Sequence, residues 1–530
     1  MKAFKILSLV AIVLMFVTSA CEEIDSAEHL KLLDPDNVDA NAGSWTMILP
    51  ITNNQFAASV PAPAATTAPA YINELTAIKT AQARLTSSEK KIVQYWGAGG
   101  VLRWNQIMRE LVAKYALAPA PNADGTYPVP IAENPWGDPA FPFANPPYAA
   151  RAYAYVSIGQ YEALKSAWYF KYQYNRPAPY VTDQGVQALL PQSTLPSYPS
   201  EDAVLSGVTA ELLKLLFPGE VDFINSKASE QRYAAMWAGK ATTSDISAGL
   251  ALGNAVAGYL TAPGTGRFRT DGMGAAGGTK AQWDVLIDSA KLHYTKIGID
   301  ASNEIFWKSM DAPARPPMLP FFGNVRGWFL TPDQFKAERA ALGPPPSTSS
   351  EQMKEELAEV YNETEKVDRD KLHIVHFWAD GGGTYTPPGH WNDIAADYVE
   401  EANFSEVRAA RAFAYLNGTM LDAAVGCWGV KYYWFNPRPS QLDPSIKTLT
   451  GLPNFPSYTS GHSTFSASAS VVLSYLFPAG AATFQDYLRE ASISRLYGRI
   501  HYRTDIEKGN THGIAIGNYA VTFASNDGAN

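Results

Sequence analysis

Three short strings late in the chain gather the residues whose types and spacing could do chemistry: "KYYWFNPRP" from Lys431, "PSYTSGH" from Pro456 and "SRLYGRIHYRTD" from Ser494. Lys431 and Arg438 stand seven residues apart. That is two helical turns, so both can point the same way before the prolines stop the helix. Ser460, Gly461 and His462 open an apolar helix, where a hydroxyl, a backbone N–H and a positive helix terminus converge. The third string supplies Arg495, His501 and, four residues on, Asp505. Fixed cations, a hydroxyl, a helix-start N–H and two histidines suit a tetrahedral or trigonal-bipyramidal oxyanion. The cations would neutralise equatorial oxygens and the histidines would lie on the apical line. The sulfur and carboxylate ligands of a zinc or magnesium site are missing from the set.

The elements that must position these groups are helices. Segments such as "RAYAYVSIGQYEALKSAWYF", "DAVLSGVTAELLKLLF" and "ISAGLALGNAVAGYL" are long, amphipathic or apolar, and free of internal proline. The chain has 530 residues, 46% of them apolar, enough for a large core, and a net charge of -9 with no basic run. That balance argues against nucleic acid or an anionic membrane surface as partner. An anionic ligand must then be held by a local cluster of positive groups.

The helical halves repeat at an offset of 260 residues. "AARAYAYVSIGQYEAL" from Ala149 matches "AARAFAYLNGTMLDAA" from Ala409, "PSYPS" from Pro196 matches "PSYTS" from Pro456, and "LFP" recurs at Leu216 and Leu476. After small gaps, "GLALGN" at Gly249 matches "GIAIGN" at Gly513. The expected fold is all-α: two related helical bundles made by internal duplication. The copies differ where chemistry would sit. The first keeps Arg176 but has Tyr169 at the expected lysine position, Glu201 and Asp202 in place of Gly461 and His462, and tryptophan or alanine near the histidine position. It is expected to have kept its fold and lost its site.

The three strings resemble the signature of the type-2 phosphatidic acid phosphatase and vanadium-dependent haloperoxidase superfamily, and the double-bundle layout is similar to that of its haloperoxidase branch, the chloroperoxidase-like members. The resemblance implies a vanadate cofactor, bonded at one apex by His501 and held by Lys431, Arg438, Arg495, Ser460 and the Gly461 amide. It implies His462 as acid–base at the opposite apex, Lys431 as the group that polarises bound peroxide, and Asp505 as the partner of His501. The substrates implied are hydrogen peroxide, a halide and a small organic acceptor, with phosphate as a competing ligand. Trp428 and Phe455 match aromatic positions beside the halide, and His376, three residues after His373 on a predicted helix, is a candidate for the pocket mouth. His390, read as a loop residue, is a weaker candidate for the same role. In the phosphatase alternative, His501 attacks a phosphoryl group and His462 protonates the leaving group. A non-catalytic oxyanion-binding lipoprotein is a third reading.

Two residue-level expectations follow. Asp505 should take one N–H of His501 and fix its tautomer. Six residues on a continuous helix would separate Arg495 and His501 by about 120°, so a bend is expected between them, at Gly498.

The remaining segments frame these bundles. Residues 1–20 read as a signal peptide, with Lys2 and Lys5 before an apolar stretch too short to span a bilayer. "SAC" before "EEID" resembles a bacterial lipoprotein cleavage site, which implies lipidation of Cys21 and attachment to the cell envelope. A tether (21–74), the first bundle (75–262), a Gly- and Pro-rich crossover (263–348) and the second bundle (349–530) complete the expected organisation.

Overall fold

The computed structural model describes residues 30–117, 120–127, 145–363 and 366–529, and the described residues contain helices and no strand. The signal peptide and Cys21 lie outside the described residues. The first half contains α1 (Pro69–Gln82), α2 (Ser87–Gly97), α3 (Gly100–Tyr115), α4 (Pro146–Tyr174), α5 (Glu201–Leu216), α6 (Val221–Trp237) and α7 (Thr243–Thr261). The crossover carries α8 (Lys280–Lys296) and α9 (Pro332–Leu342). The second half contains α10 (Glu351–Asn362), α11 (Arg369–Phe377), α12 (Thr386–Glu401), α13 (Glu406–Trp434), α14 (Gly461–Leu476), α15 (Ala481–Tyr497) and α16 (Arg503–Ala524).

The repeat is structural. Helices α4 and α13 are each 29 residues long, pack against each other, and end in a left-handed residue, Asn175 (φ 49°) and Phe435 (φ 50°). Asparagine adopts that conformation readily and phenylalanine does not. Phe435 is held there because its N–H donates to Lys431 O and its carbonyl accepts from Trp307 N. A buried arginine and tyrosine on each long helix clamp an aspartate: Arg151 and Tyr155 hold Asp271, and Arg411 and Tyr415 hold Asp527. Across the α4–α13 seam, Asn417 Nδ2 donates to Ser157 Oγ at 2.9 Å.

Glycine permits the closest helix crossings. A Cβ on Gly253 would stand 2.3 Å from Val204 O, and one on Gly513 would stand 2.3 Å from Thr464 O. These two glycines are equivalent, so the 260-residue offset holds through the last helices and the gapped match of Gly249 to Gly513 is off by one turn. Small residues repeat every four positions here, which makes a one-turn slip invisible to pattern matching.

The tether expectation needs correction from Leu32 onward. Trp45, Leu49 and Val60 are buried, Trp168 Nε1 donates to Val38 O, and Asp39 pairs with Arg408 of the second bundle. The segment reads as extended because it is proline-rich and lacks periodicity. Its scattered apolar residues nevertheless find a groove between helices. The crossover packs on α13 through α8 and α9. It also caps the second bundle, where Met318 O accepts from Trp428 Nε1 and Tyr432 Oη.

Candidate active site

The three strings meet at one end of the second bundle. Lys431 lies in the last turn of α13, Arg438 just beyond its left-handed cap, Ser460 caps α14, and Arg495 sits near the end of α15. His501 follows a bend after α15, and Asp505 lies in the first turn of α16. The bend is one residue past the expected place: Gly498 has φ -71°, and Arg499 takes the positive φ of 62°. Lys431, Arg438, Ser460, Arg495, His501 and Asp505 are all at most 2% exposed.

His501 is held in one tautomer. Its Nδ1 stands 2.9 Å from Asp505 Oδ2, and its Nε2 stands 3.0 Å from Arg438 Nη1, which has only protons to give. Nδ1 therefore carries the hydrogen and Nε2 the lone pair. Ser457 Oγ also donates to Asp505 Oδ2, and the Asp505 carbonyl accepts from Ser460 N, which ties the histidine support to the oxyanion loop. His501 precedes α16, so its contact with Asp505 comes from the helix N-terminus. Burial, with Arg438 and Lys431 close by, holds the His501 imidazole neutral, well below its ordinary titration range. Burial raises Asp505 to about 6 against the pull of its hydrogen bonds.

The cations differ in what they offer. Arg438 donates from Nε to Phe455 O and from Nη1 to Ile500 O and His501, while its buried Nη2 has no partner. Arg495 donates from Nε to Ser494 Oγ and from Nη2 to Val375 O. Burial lowers both guanidinium groups to about 10, which leaves them cationic at neutral pH. Lys431 gives all three ammonium protons to carbonyls of the loop, those of Pro456, Ser457 and Thr459. Burial and the Arg438 charge nevertheless draw its pKa down to about 7. A contact from Lys431 to an oxyanion requires it to leave one of these carbonyls.

A cavity of about 410 Å³ opens onto this cluster, lined by Gly461, His462, Arg495, His501, Trp428 and Phe455. His376, on α11, is exposed and lines the same cavity, whereas His373 does not. Lys431, Arg438 and Ser460 stand behind this wall. The Trp428 and Phe455 rings lie 4.9 Å apart, and Lys431 Nζ is 5.0 Å from the Phe455 centroid.

The pocket fits a tetrahedral oxyanion. Gly461 N–H is in the first turn of α14 and has no intrahelical acceptor. A Cβ on Gly461 would meet only Trp428, at 3.9 Å, and would otherwise project into the space an anion needs. Arg438 Nη2 and His462 Nε2 are buried without partners. Burial, then Arg495, holds His462 neutral, well below the usual histidine range, despite a hydrogen bond with the Trp378 backbone.

Sequence reasoning missed Asp380 here and misplaced His390. Asp380, with φ 46° in the turn after α11, lies 3.7 Å from His462 through Oδ2. His390 is on α12, not in a loop, and its Nδ1 meets Asp380 Oδ1 at 3.1 Å. An aspartate before three glycines, directly after a helix, was the available signal.

The first bundle also corrects the lysine assignment. Lys171, not Tyr169, is the equivalent of Lys431: both stand four residues before the left-handed cap and both donate to the proline carbonyl of the repeated "PSY" string. Ala235 and Ala241 occupy the positions of Arg495 and His501, while Asp245 matches Asp505 down to the bond from the serine cap to its carbonyl.

The family model of the PAP2 superfamily matches residues 411–528. No curated protein matches the sequence. Among solved structures, the chain is similar to a bacterial vanadium-dependent iodoperoxidase at 22% identity and a TM-score of 0.54, over 79% of this chain and 96% of that one. A holo-type bacterial vanadium-dependent chloroperoxidase follows at 11% identity and a TM-score of 0.45, over 72% of this chain and 90% of that one. At such identities the likeness is one of fold. The part of the chain that is similar to the PAP2 superfamily is the stretch of the second bundle that carries the three strings.

Proposed function

We propose that the protein is a vanadium-dependent haloperoxidase, oxidising a halide with hydrogen peroxide at a vanadate held by the second bundle, with a small organic molecule as acceptor. The observation that carries this reading is a pair of differently prepared histidines at one cationic pocket. His501 is oriented through Nδ1 by Asp505, its unprotonated Nε2 accepts from Arg438 Nη1, and His462 presents a bare Nε2. Bound vanadate supplies a Lewis acid that activates peroxide without changing oxidation state. Arg438, Arg495, Ser460 and the Gly461 N–H would balance the oxyanion charge, with His501 Nε2 as the ligand. His462 Nε2 would be the acid–base of the pocket, accepting a proton from hydrogen peroxide and able to give it back. Trp428 and Phe455 give an apolar wall next to the cations, where a halide can be partly dehydrated without losing its counter-charge. The fold shared with an iodoperoxidase supports the reading.

The test is direct. With orthovanadate and hydrogen peroxide, the protein should brominate or iodinate a phenolic dye, and phosphate should inhibit by competition. A second reading, phosphomonoester hydrolysis through a phosphohistidine on His501, is favoured by the superfamily match itself. It wins if the protein hydrolyses a phosphomonoester briskly and halogenates nothing.

We further propose that the chain is exported and anchored through a lipid on Cys21. Intact-mass analysis of protein recovered from cell envelopes should find a lipidated N-terminal Cys21. A Cys21→Ser variant should leave the membrane fraction.

A further inference from the structure

The cavity is larger than one tetrahedral oxyanion and a halide would fill. Its volume of about 410 Å³ lies within the roughly 300–1,000 Å³ of sites that take small organic molecules. Part of its wall, contributed by Met318, Leu449, Leu452 and Pro453, is apolar. A further cation lines it: Arg315, which comes from the crossover and from none of the three strings.

Hydrogen bonds fix the loop that carries Arg315. Arg315 N donates to Ser309 Oγ at 3.1 Å, the Pro316 carbonyl accepts from Asn454 Nδ2, and Met318 N donates to Asn454 O at 3.1 Å. The loop is thereby pinned beside Phe455. The guanidinium itself is little used. Asp311 Oδ2 stands 3.0 Å from Arg315 Nε, in an alignment that makes no hydrogen bond. Among the described residues, neither Nη has a hydrogen bond or an ion pair. The Asp311 side chain is 39% exposed, and a pair so open to water contributes little. An incoming anion can therefore take the Nη edge without first breaking a strong contact.

We propose that Arg315 determines specificity for the organic acceptor: it receives the carboxylate of an aromatic acid whose ring lies along Met318, Leu452 and Pro453. The inference rests on the haloperoxidase reading and names the acceptor class for it. A halide needs a single counter-charge, which the Trp428–Phe455 wall already has in Lys431. Arg315 offers instead a planar pair of donors, the shape that matches a carboxylate. Hypohalous acid, made from halide and peroxide, exchanges its O–X bond for a C–X bond on the ring, and the displaced ring proton leaves with the hydroxyl as water. Arg315 makes and breaks no covalent bond in this step. It selects which ring enters.

Iodination rates of the purified full chain, with orthovanadate and hydrogen peroxide, test it on two acceptors: 4-hydroxybenzoate and its neutral counterpart 4-hydroxybenzamide. The quantity read is the ratio of their kcat/KM values, compared between variants so that the phenols' own reactivities cancel. Arg315→Gln should lower the preference for the carboxylate by about tenfold, the scale of one charge-assisted hydrogen bond, through a higher KM. Arg315→Lys, which keeps the charge, should lose less. Asp311→Asn removes the competing carboxylate and should raise the preference, and it carries the test if the Gln variant does not fold. An unchanged ratio in folded Arg315→Gln would overturn the proposal, as it would if hypohalous acid met the acceptor only in bulk water. So would a fall in Asp311→Asn as large as in Arg315→Gln, which would make the pair merely structural. A raised iodide KM with the ratio intact would assign Arg315 to the halide instead. If the protein halogenates neither acceptor, the haloperoxidase reading falls and takes the acceptor role with it. Titration calorimetry of 4-hydroxybenzoate with orthovanadate present separates the two failures, because binding that Arg315→Gln weakens about tenfold keeps the carboxylate site without the turnover.

Discussion

The two bundles carry the same lysine, the same serine cap and the same aspartate, and differ in what lies between them. In the first, Lys171 Nζ donates to Pro196 O and to Glu201 Oε2 at 2.8 Å, and Lys240 pairs with both Glu201 and Asp202. In the second, the positions of Glu201 and Asp202 belong to Gly461 and His462, and an open cavity stands beside them. Burial alone would raise the Glu201 carboxyl, but the Lys171 and Lys240 charges override it and hold it well below its usual range. The first bundle carries a buried carboxylate where the second has a glycine beside an open cavity. The arginines sit at different places in the repeat: Arg176 stands where the second bundle has Asn436 and pairs with Asp245, while Arg438 stands where the first bundle has Ala178 and donates to two backbone carbonyls and His501.

The sharpest way to break this comparison is to move the internal anion. Gly461→Glu should fill the second pocket with a carboxylate. The protein should stay folded by circular dichroism and lose phosphate and vanadate binding altogether. His501→Ala should also abolish vanadate binding, and the unmutated chain should bind one equivalent, not two. Two equivalents of comparable affinity would mean that Glu201 does not close the first site.

Next in size is the His462 effect. His462→Ala should leave vanadate measurably bound while slowing turnover by about 10²- to 10⁴-fold, the range for losing a positioned acid–base. Loss of vanadate with His462, but not with His501, would reverse the assigned roles.

Glu201→Ala should cost roughly 3–5 kcal/mol in denaturant unfolding, because it leaves Lys171 buried without its counter-charge. Millimolar phosphate should restore part of that loss, beyond its effect on the unmutated protein. A neutral outcome would show that the first bundle's carboxylate is not balancing the lysines.

The smallest effect is on pH. Burial draws Lys431 down to about 7, and an anion beside it favours the protonated form, so binding takes up a proton. Affinity for sulfate, whose own charge is constant over this range, should therefore be full below neutrality. It should weaken by up to about tenfold per unit as pH rises above 7. His462 and His501, also held neutral in the free pocket, act with the same sign at lower pH. A sulfate affinity that is flat between neutral and alkaline pH would place the Lys431 proton firmly on its three carbonyls.

Sequence alone determined the all-helical class, the duplication and the three strings that meet at one end of the second bundle. Each rests on local information: helical periodicity, a fixed offset, and charged types at spacings that a helix end converts into direction. The Nδ1–Asp505 link was legible for the same reason, since four residues across a helix start leave little freedom. Assignments that depend on where a side chain ends up in space were not legible. Aligning Arg176 with Arg438 puts Tyr169 at the lysine position, but the segments after the left-handed caps at Asn175 and Phe435 are equal in length, and the arginine itself stands at different places: Arg176 at that of Asn436, Arg438 at that of Ala178. The uninterrupted 260-residue offset identifies Lys171 as the counterpart of Lys431, and the bond from Lys171 to Pro196 O agrees. Asp380 and His390 come from a turn and a helix far in sequence from the three strings, and packing against Trp378 brings them to His462. Tertiary structure also decided that the proline-rich segment from Leu32 is packed, and that Lys431 spends its protons on a loop. Both outcomes depend on which groove or carbonyl the folded helices leave within reach, and neither is written in the residues themselves.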